Sequence, residues 1–347
     1  MTTAGAVHTE RDSLKAYPPS LTFHDLIRKN KIESQLLMWG MGLLVVLVGA
    51  AIAFSLAVYT RGGGELRDFL PSLIVGASVA AIFALIACLW SWYGGGKAIL
   101  RMSGARKIEK EHDPQLFNVV DELRIAAGLP MPEVWRIDSP ALNAFATGRD
   151  PQNAAVAITT GLRTQLNRDE LAGVMAHEMA HVRHFDIRFA MLMATLVGLI
   201  AFACDAFLRM AFYSSMRGGG RSAPRGGGGG KGGGGAAAAI LMLLALLLAV
   251  LAPLLAKLIQ LSISRKREYL ADAGAVELTR YPEGLASALR KLADCEKPID
   301  KANRATAHLY IVNPMKKAAM EHHRKSNVFS THPPIQERID RLEALMR

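Results

Sequence analysis

The run His177-Glu178-Met179-Ala180-His181 combines side-chain types that can hold and use a divalent metal. On a helix, positions 177 and 181 lie one turn apart on the same face. Two imidazoles so placed can share one Zn²⁺, and Glu178 beside them can take a proton from a water the ion activates. Such a site needs a third ligand. Glu268, in Ser264-Arg265-Lys266-Arg267-Glu268-Tyr269-Leu270-Ala271-Asp272, supplies the carboxylate of a two-histidine, one-glutamate set. That set leaves the fourth position open for water. Asp272, one helical turn beyond, can accept the remaining N–H of a ligating histidine and fix its tautomer. Taken apart, these stretches read as two surface histidines and an ordinary charged helix. Taken together they read as one zinc site, with one ion per chain.

The elements that position these groups follow from the local sequence. Asn167, with Glu170 three residues on, caps a helix whose apolar face is Leu171, Val174 and Met175. That helix carries the histidine pair to about His184. Upstream, Asp113-Pro114 opens a second helix, 114–127, closed by Gly128. Short β-like pieces at 133–137, 142–147 and 154–160 lie between, separated by Pro, Gly, Asp and Asn. Residues 94–186 therefore read as the α+β first half of a catalytic domain. Residues 264–347, with helices around Glu268, at 285–295 and at 335–346, read as its second half. His308, His322 and His323 read as surface residues.

The chain has 347 residues, 51% of them hydrophobic, and a formal charge of +11. The apolar residues are not spread evenly. They concentrate in runs at 36–59, 69–93, 187–213 and 236–263, each long enough to cross a bilayer, with a helical hairpin buried in protein as the alternative for the last two. Trp90, Trp92 and Tyr93 close the second run, as expected at a headgroup boundary. Asp205 and Arg209, inside the third, are one turn apart and can pair. The positive charge then belongs to leaflet-facing segments, and no basic patch interleaved with aromatics points to nucleic acid. Three cysteines without a C-x-x-C imply no disulfide framework. A polar N-terminal extension, 1–35, lacks the pattern of a cleavable signal peptide. A glycine-rich loop, 217–235, joins the third and fourth runs.

Order alone adds a constraint. His177 and His181 precede the third and fourth runs, and Glu268 follows them. If all three meet at one metal, the two runs must return the chain to its starting side. The expected fold is a mostly α protein: an α+β zincin-like metallopeptidase domain combined with about four transmembrane helices.

The sequence resembles the HtpX-type membrane zinc metallopeptidases, relatives of the CAAX prenyl endopeptidases. The resemblance rests on Asn143-Ala144-Phe145-Ala146-Thr147-Gly148, the 177–181 motif, the stretch from Ser264 to Asp272, and Phe329-Ser330-Thr331-His332-Pro333-Pro334 with Arg338. It implies zinc on His177, His181 and Glu268, with Glu178 as the catalytic base. It implies that Asn143, Ala144 and Phe145 belong to an edge strand that pairs with substrate backbone. It places His332 and Arg338 over the cleft near the substrate carbonyl. Members are integral proteases of the bacterial inner membrane that face the cytoplasm and act in membrane-protein quality control on unfolded or membrane polypeptides. The 217–235 loop and the N-terminal extension depart from the family pattern.

The chemistry stands beside the resemblance. A donor such as His332 can stabilise a tetrahedral oxyanion, and strand pairing along 142–147 gives affinity with little sequence preference. Two other readings compete with a membrane-bound endopeptidase. An intramembrane-cleaving protease would embed its motif in an apolar span, whereas Arg168, Asp169, Glu170, Arg183, His184 and Asp186 flank this one. A non-proteolytic scaffold or holdase with a relic zinc site would have little need of an intact Glu178 and Asp272.

Overall fold

The structure, a computed structural model, describes residues 23–61, 65–217, 234–293 and 333–346. His332, the three histidines at 308, 322 and 323, and residues 218–233 of the glycine-rich loop lie outside the described residues. Helices α1 (Phe23–Arg61) and α2 (Leu66–Trp90) come first. A π-helical turn, Ser91–Gly95, leads from α2 into α3 (Gly96–Met102). The α+β body follows as β1 (Ala105–Lys107), α4 (Pro114–Ala127), β2 (Glu133–Ile137), β3 (Ala144–Gly148), β4 (Ala154–Thr159), α5 (Thr160–Gln165) and α6 (Arg168–Arg183). Then come α7 (Asp186–Arg217), α8 (Gly234–Thr279), α9 (Pro282–Ala293) and α10 (Ile335–Ala344).

Among the described residues three helices are long and apolar enough to cross a membrane, over Ile27–Val58, Arg67–Met102 and Asp186–Met210. The fourth expected run, 236–263, is helical within α8. Two boundaries differ from expectation. The first helix begins at Phe23, so the second part of the polar extension continues the membrane helix outward. Glu268 does not sit on a helix of its own: α8 runs unbroken through Pro253 to Thr279. A helix keeps an interior proline where neighbouring helices and small local adjustments re-satisfy the backbone groups it frees.

Helices α1 and α2 cross backbone to backbone. A Cβ on Gly76 would lie 2.3 Å from the Ala53 Cβ and 2.7 Å from the Gly49 carbonyl oxygen. Small residues at a crossing allow this approach between apolar helices that share no hydrophobic driving force. Gly76→Ala should therefore lower the thermal midpoint of the solubilised protein, by about 1–3 kcal/mol of overpacking. Gly42→Ala, where nothing lies within 4 Å of the added methyl, should leave it unchanged or raise it. Equal midpoints for the two variants would mean that the crossing is loose. Further along, Met41, Val45 and Val48 of α1 pack with Met193, Leu196, Ile200 and Cys204 of α7 and with Ala249, Ala252 and Ala256 of α8.

The sheet has the order β1-β2-β4-β3, with β2 and β4 parallel and the other pairs antiparallel. Strand alternation divides it into two faces. Phe145, Ala155 and Ala157 turn to one side with Ile137 and Leu100. Ala144, Ala146, Val156 and Ile158 turn to the main core, where α4, α6, α9 and α10 contribute Val120, Leu171, Met175, Leu289 and Ile339. The Asp113 carboxylate accepts from Leu116 N at 3.1 Å and caps α4, and Gly128 ends that helix at φ 67°.

Candidate metal centre

Helix α6 begins with reciprocal caps. Asn167 Oδ1 accepts from Glu170 N at 2.9 Å, and Glu170 Oε2 accepts from Asn167 N at 2.8 Å. The helix is buried along most of its length between the sheet and α9, so the motif histidines emerge from a fixed element. His177 Nε2 and His181 Nε2 lie 3.2 Å apart. Glu268 Oε2 is 3.7 Å from the first nitrogen, and its Oε1 is 3.7 Å from the second. One ligand atom from each of the three residues lies within 4.8 Å of the others. The two runs thus return the chain to its starting side, since α7 leaves from beside His181 and α8 brings Glu268 back.

The outer nitrogens show what this cluster is built to hold. His177 Nδ1 lies 2.9 Å from Asp272 Oδ1, and His181 Nδ1 lies 3.1 Å from Asp186 Oδ2. Each Nδ1 therefore donates its hydrogen outward, and each Nε2 presents a lone pair to the same point. Two lone pairs and a carboxylate converging at 3.2–3.7 Å repel one another unless a cation lies between them. Atoms bound at about 2.0–2.1 Å to a tetrahedral ion stand roughly 3.3 Å apart, close to what is seen. The buried charge agrees: the carboxylates of Glu178, Asp186, Glu268 and Asp272 outnumber the guanidiniums of Arg267 and Arg338. The residues fit a divalent metal.

Burial works against a charged His181, but its bond to Asp186 and the carboxylates of Glu268 and Glu178 raise it to about 9. Burial and the Arg338 guanidinium hold His177 below its ordinary value. Burial pushes the Glu178 carboxyl up to about 7, although it accepts a hydrogen bond from the Ala146 N–H and stands near His181.

Among the described residues, strand β3 is an edge, bonded only to β4. Asn143 immediately precedes it, with its carbonyl accepting from Thr159 N at 3.0 Å. By alternation Phe145 also turns its backbone to β4, and Ala144 and Ala146 turn theirs to the free side, where Ala146 meets Glu178. Arg338 is enclosed beside the histidine pair. It is 1% exposed, and its guanidinium grips Asp272 through Nε at 2.8 Å and a terminal nitrogen at 2.6 Å. The other terminal nitrogen is 3.3 Å from Glu268 Oε2. It thereby bridges the carboxylates of Asp272 and Glu268. Asp186 and Arg267 stood in the sequence as flanking charges and take part in the cluster. The only available signal was an acid five residues past His181, beyond the end of the helix.

A model of peptidase family M48 matches residues 110–346. The chain belongs to peptidase family M48. Its relatives in the family include a protease HtpX homolog of Dictyoglomus turgidum, 40% identical over 93% of this chain and 95% of that one. A protease HtpX homolog of Tropheryma whipplei is 40% identical over 93% and 98%, and one of Listeria innocua is 41% identical over 91% and 98%. A crystal structure of S. mikatae Ste24p shares 19% identity at a TM-score of 0.45, over 92% of this chain and 66% of that one. With M48 membership, apolar helices and a histidine–histidine–glutamate cluster, this chain is a membrane-bound metallopeptidase.

Proposed function

We propose that this M48 peptidase holds one zinc ion on His177, His181 and Glu268 and hydrolyses peptide bonds in unfolded or membrane polypeptides. The convergence of two Nε2 lone pairs and a carboxylate beside Glu178 carries the reading. Bound zinc supplies Lewis acidity, which makes a water more acidic and polarises a carbonyl. Glu178, 3% exposed, is the base that takes the proton of the attacking water and passes it to the leaving amine. Asp272 and Arg338 keep His177 in the tautomer that points its lone pair inward.

The free side of β3, along Ala144 next to Asn143 and Phe145, would take an extended substrate as a further strand. His332, by resemblance, would donate to the developing oxyanion. The histidine motif lies on α6 in the α+β body and not in one of the apolar spans, which favours cleavage outside the bilayer core over intramembrane cleavage. Purified full-length protein should degrade unfolded casein, stop on treatment with a zinc chelator and resume when zinc is restored. Degradation that a chelator does not touch would overturn the metal reading. Failure to degrade casein despite a bound equivalent of zinc would favour the scaffold reading.

The same proposal places the catalytic body at the cytoplasmic face of the bacterial inner membrane, with the first half of α8 as a fourth span. Residues 1–35 and 94–110 are rich in Lys and Arg, and 60–68 is nearly balanced, as the positive-inside rule requires of that orientation. The 217–235 loop, with Arg217, Arg221, Arg225 and Lys231, opposes it, and Arg265-Lys266-Arg267 just after the fourth run outweighs it. In a chain freed of its own cysteines, a cysteine placed in that loop should react with an impermeant thiol reagent on whole cells. One placed near Asn303 should not. A loop that becomes reactive only after the membrane is opened would rule out this orientation.

A further inference from the structure

The side of His181 that faces away from the ligand cluster begins a second chain of contacts, and this one ends on the outer part of α1. Asp186 receives the His181 Nδ1–H on one carboxylate oxygen, at 3.1 Å. Its other oxygen accepts from the Arg267 guanidinium, and a further guanidinium nitrogen donates to Ser34 Oγ. Arg267 also lies flat against Phe189, 3.8 Å from the ring centroid. Ser34, Asp186 and Arg267 are all buried. The four polar residues come from four helices: His181 from α6, Asp186 from α7, Arg267 from α8 and Ser34 from α1.

Local backbone geometry makes the first link possible. Phe185 adopts φ 62°, the left-handed conformation that ends a helix in a single residue. The chain turns there, and Asp186 starts α7 close enough to reach back to the ring of His181, five positions earlier. A non-glycine residue adopts that conformation against the repulsion between its Cβ and the following carbonyl oxygen. Lys31 and Arg188 stand over the Phe185 ring at 5.1 and 4.8 Å and help to keep it there.

We propose that Asp186 and Arg267 are positioning residues for the metal ligand His181, and that Ser34 ties them to the first membrane helix. The inference rests on the zinc reading given above. A carboxylate bonded through both oxygens cannot swing, so it sets both the tautomer and the plane of the imidazole it accepts from. A guanidinium clamped by an aromatic face, a carboxylate and a hydroxyl is equally fixed. Burying such a pair is weak as a stabilising device, because desolvation offsets most of the attraction. Arg183 and Glu277 offer a comparison on the same two helices, α6 and α8. They form a partly exposed pair at 3.2 Å whose partners are each other and not a metal ligand.

The test is zinc affinity, measured by chelator competition on the purified full-length protein, beside the thermal midpoint of the metal-free form. Asp186→Asn can serve only one of its two partners and should weaken zinc binding about 10–100-fold. Arg267→Met should weaken it about tenfold by releasing Asp186, and the double variant should be no weaker than Asp186→Asn alone, as expected of links in one chain. Glu277→Gln should bind zinc like the wild type. Wild-type affinity in Asp186→Asn, or losses that simply add in the double variant, would overturn the proposal. If Arg267→Met does not fold, Ser34→Ala removes only the anchor. It should weaken zinc binding with the midpoint unchanged, and unchanged affinity would overturn the tie to the membrane helix. Glu268→Ala separates the two readings. Zinc retained there overturns the ligand assignment and this inference with it. Zinc lost there but unaffected by Asp186→Asn overturns this inference alone.

Discussion

Glu178→Gln should reduce casein turnover by about 10²–10⁴-fold, the usual contribution of a positioned general base, and leave zinc content at one per chain. The amide has nearly the volume of the carboxyl, and its oxygen can still accept from the Ala146 N–H, so the local packing survives. What disappears is the ability to take a proton. Turnover is to be expressed per zinc-loaded molecule, so that any loss of folding or metal is divided out. A variant that keeps wild-type turnover by that measure would remove Glu178 from the chemistry and leave the convergence of His177, His181 and Glu268 as a structural metal site.

Glu268→Ala should abolish both zinc and proteolysis. The variant removes one of three ligands, so the loss of affinity should exceed the roughly 10–100-fold typical of losing a ligand's hydrogen-bond partner. It also strips the Arg338 guanidinium of its contact at 3.3 Å and leaves it beside Asp272 and His177. Zinc measured on the purified protein decides the matter. Full occupancy would mean that the third ligand lies elsewhere, and the free side of the two Nε2 atoms would have to be filled by another residue.

Several parts of this arrangement were legible in the sequence because the deciding interactions are local. The caps at Asp113 and Asn167 are formed with residues three positions away, and the structure puts α4 and α6 where those caps require. Strand β2 follows from a bounded β-prone run, and the Asp205–Arg209 pair forms at 2.7 Å as its one-turn spacing suggests. Strand β1 was missed. It is three residues long, two of them charged, and it is held by pairing with β2 and by Lys107 on Glu133 at 2.7 Å, neither of which leaves a periodic pattern. The continuity of α8 from the apolar run into the helix of Glu268 leaves no sign in the sequence, because the change from apolar to charged residues at 264 reads as an element boundary. The roles of Asp186 and Arg338 depend on tertiary placement, a left-handed Phe185 in one case and a fully enclosing core in the other.

The proposed third ligand, Glu268, stands beyond the α7–α8 hairpin, and for such a ligand set this has a consequence for biogenesis. The ribosome delivers His177 and His181 while the residues of α7 and α8 are still unmade. A nascent chain at that stage carries the histidine pair and Glu178 but not the carboxylate that completes the cluster. Glu268 reaches the histidines only when α8 has folded back alongside α7 and α1, where Ala249, Ala252 and Ala256 seat it. Proteolytic competence is thereby deferred until the helices have assembled, and a half-inserted chain carries no finished blade.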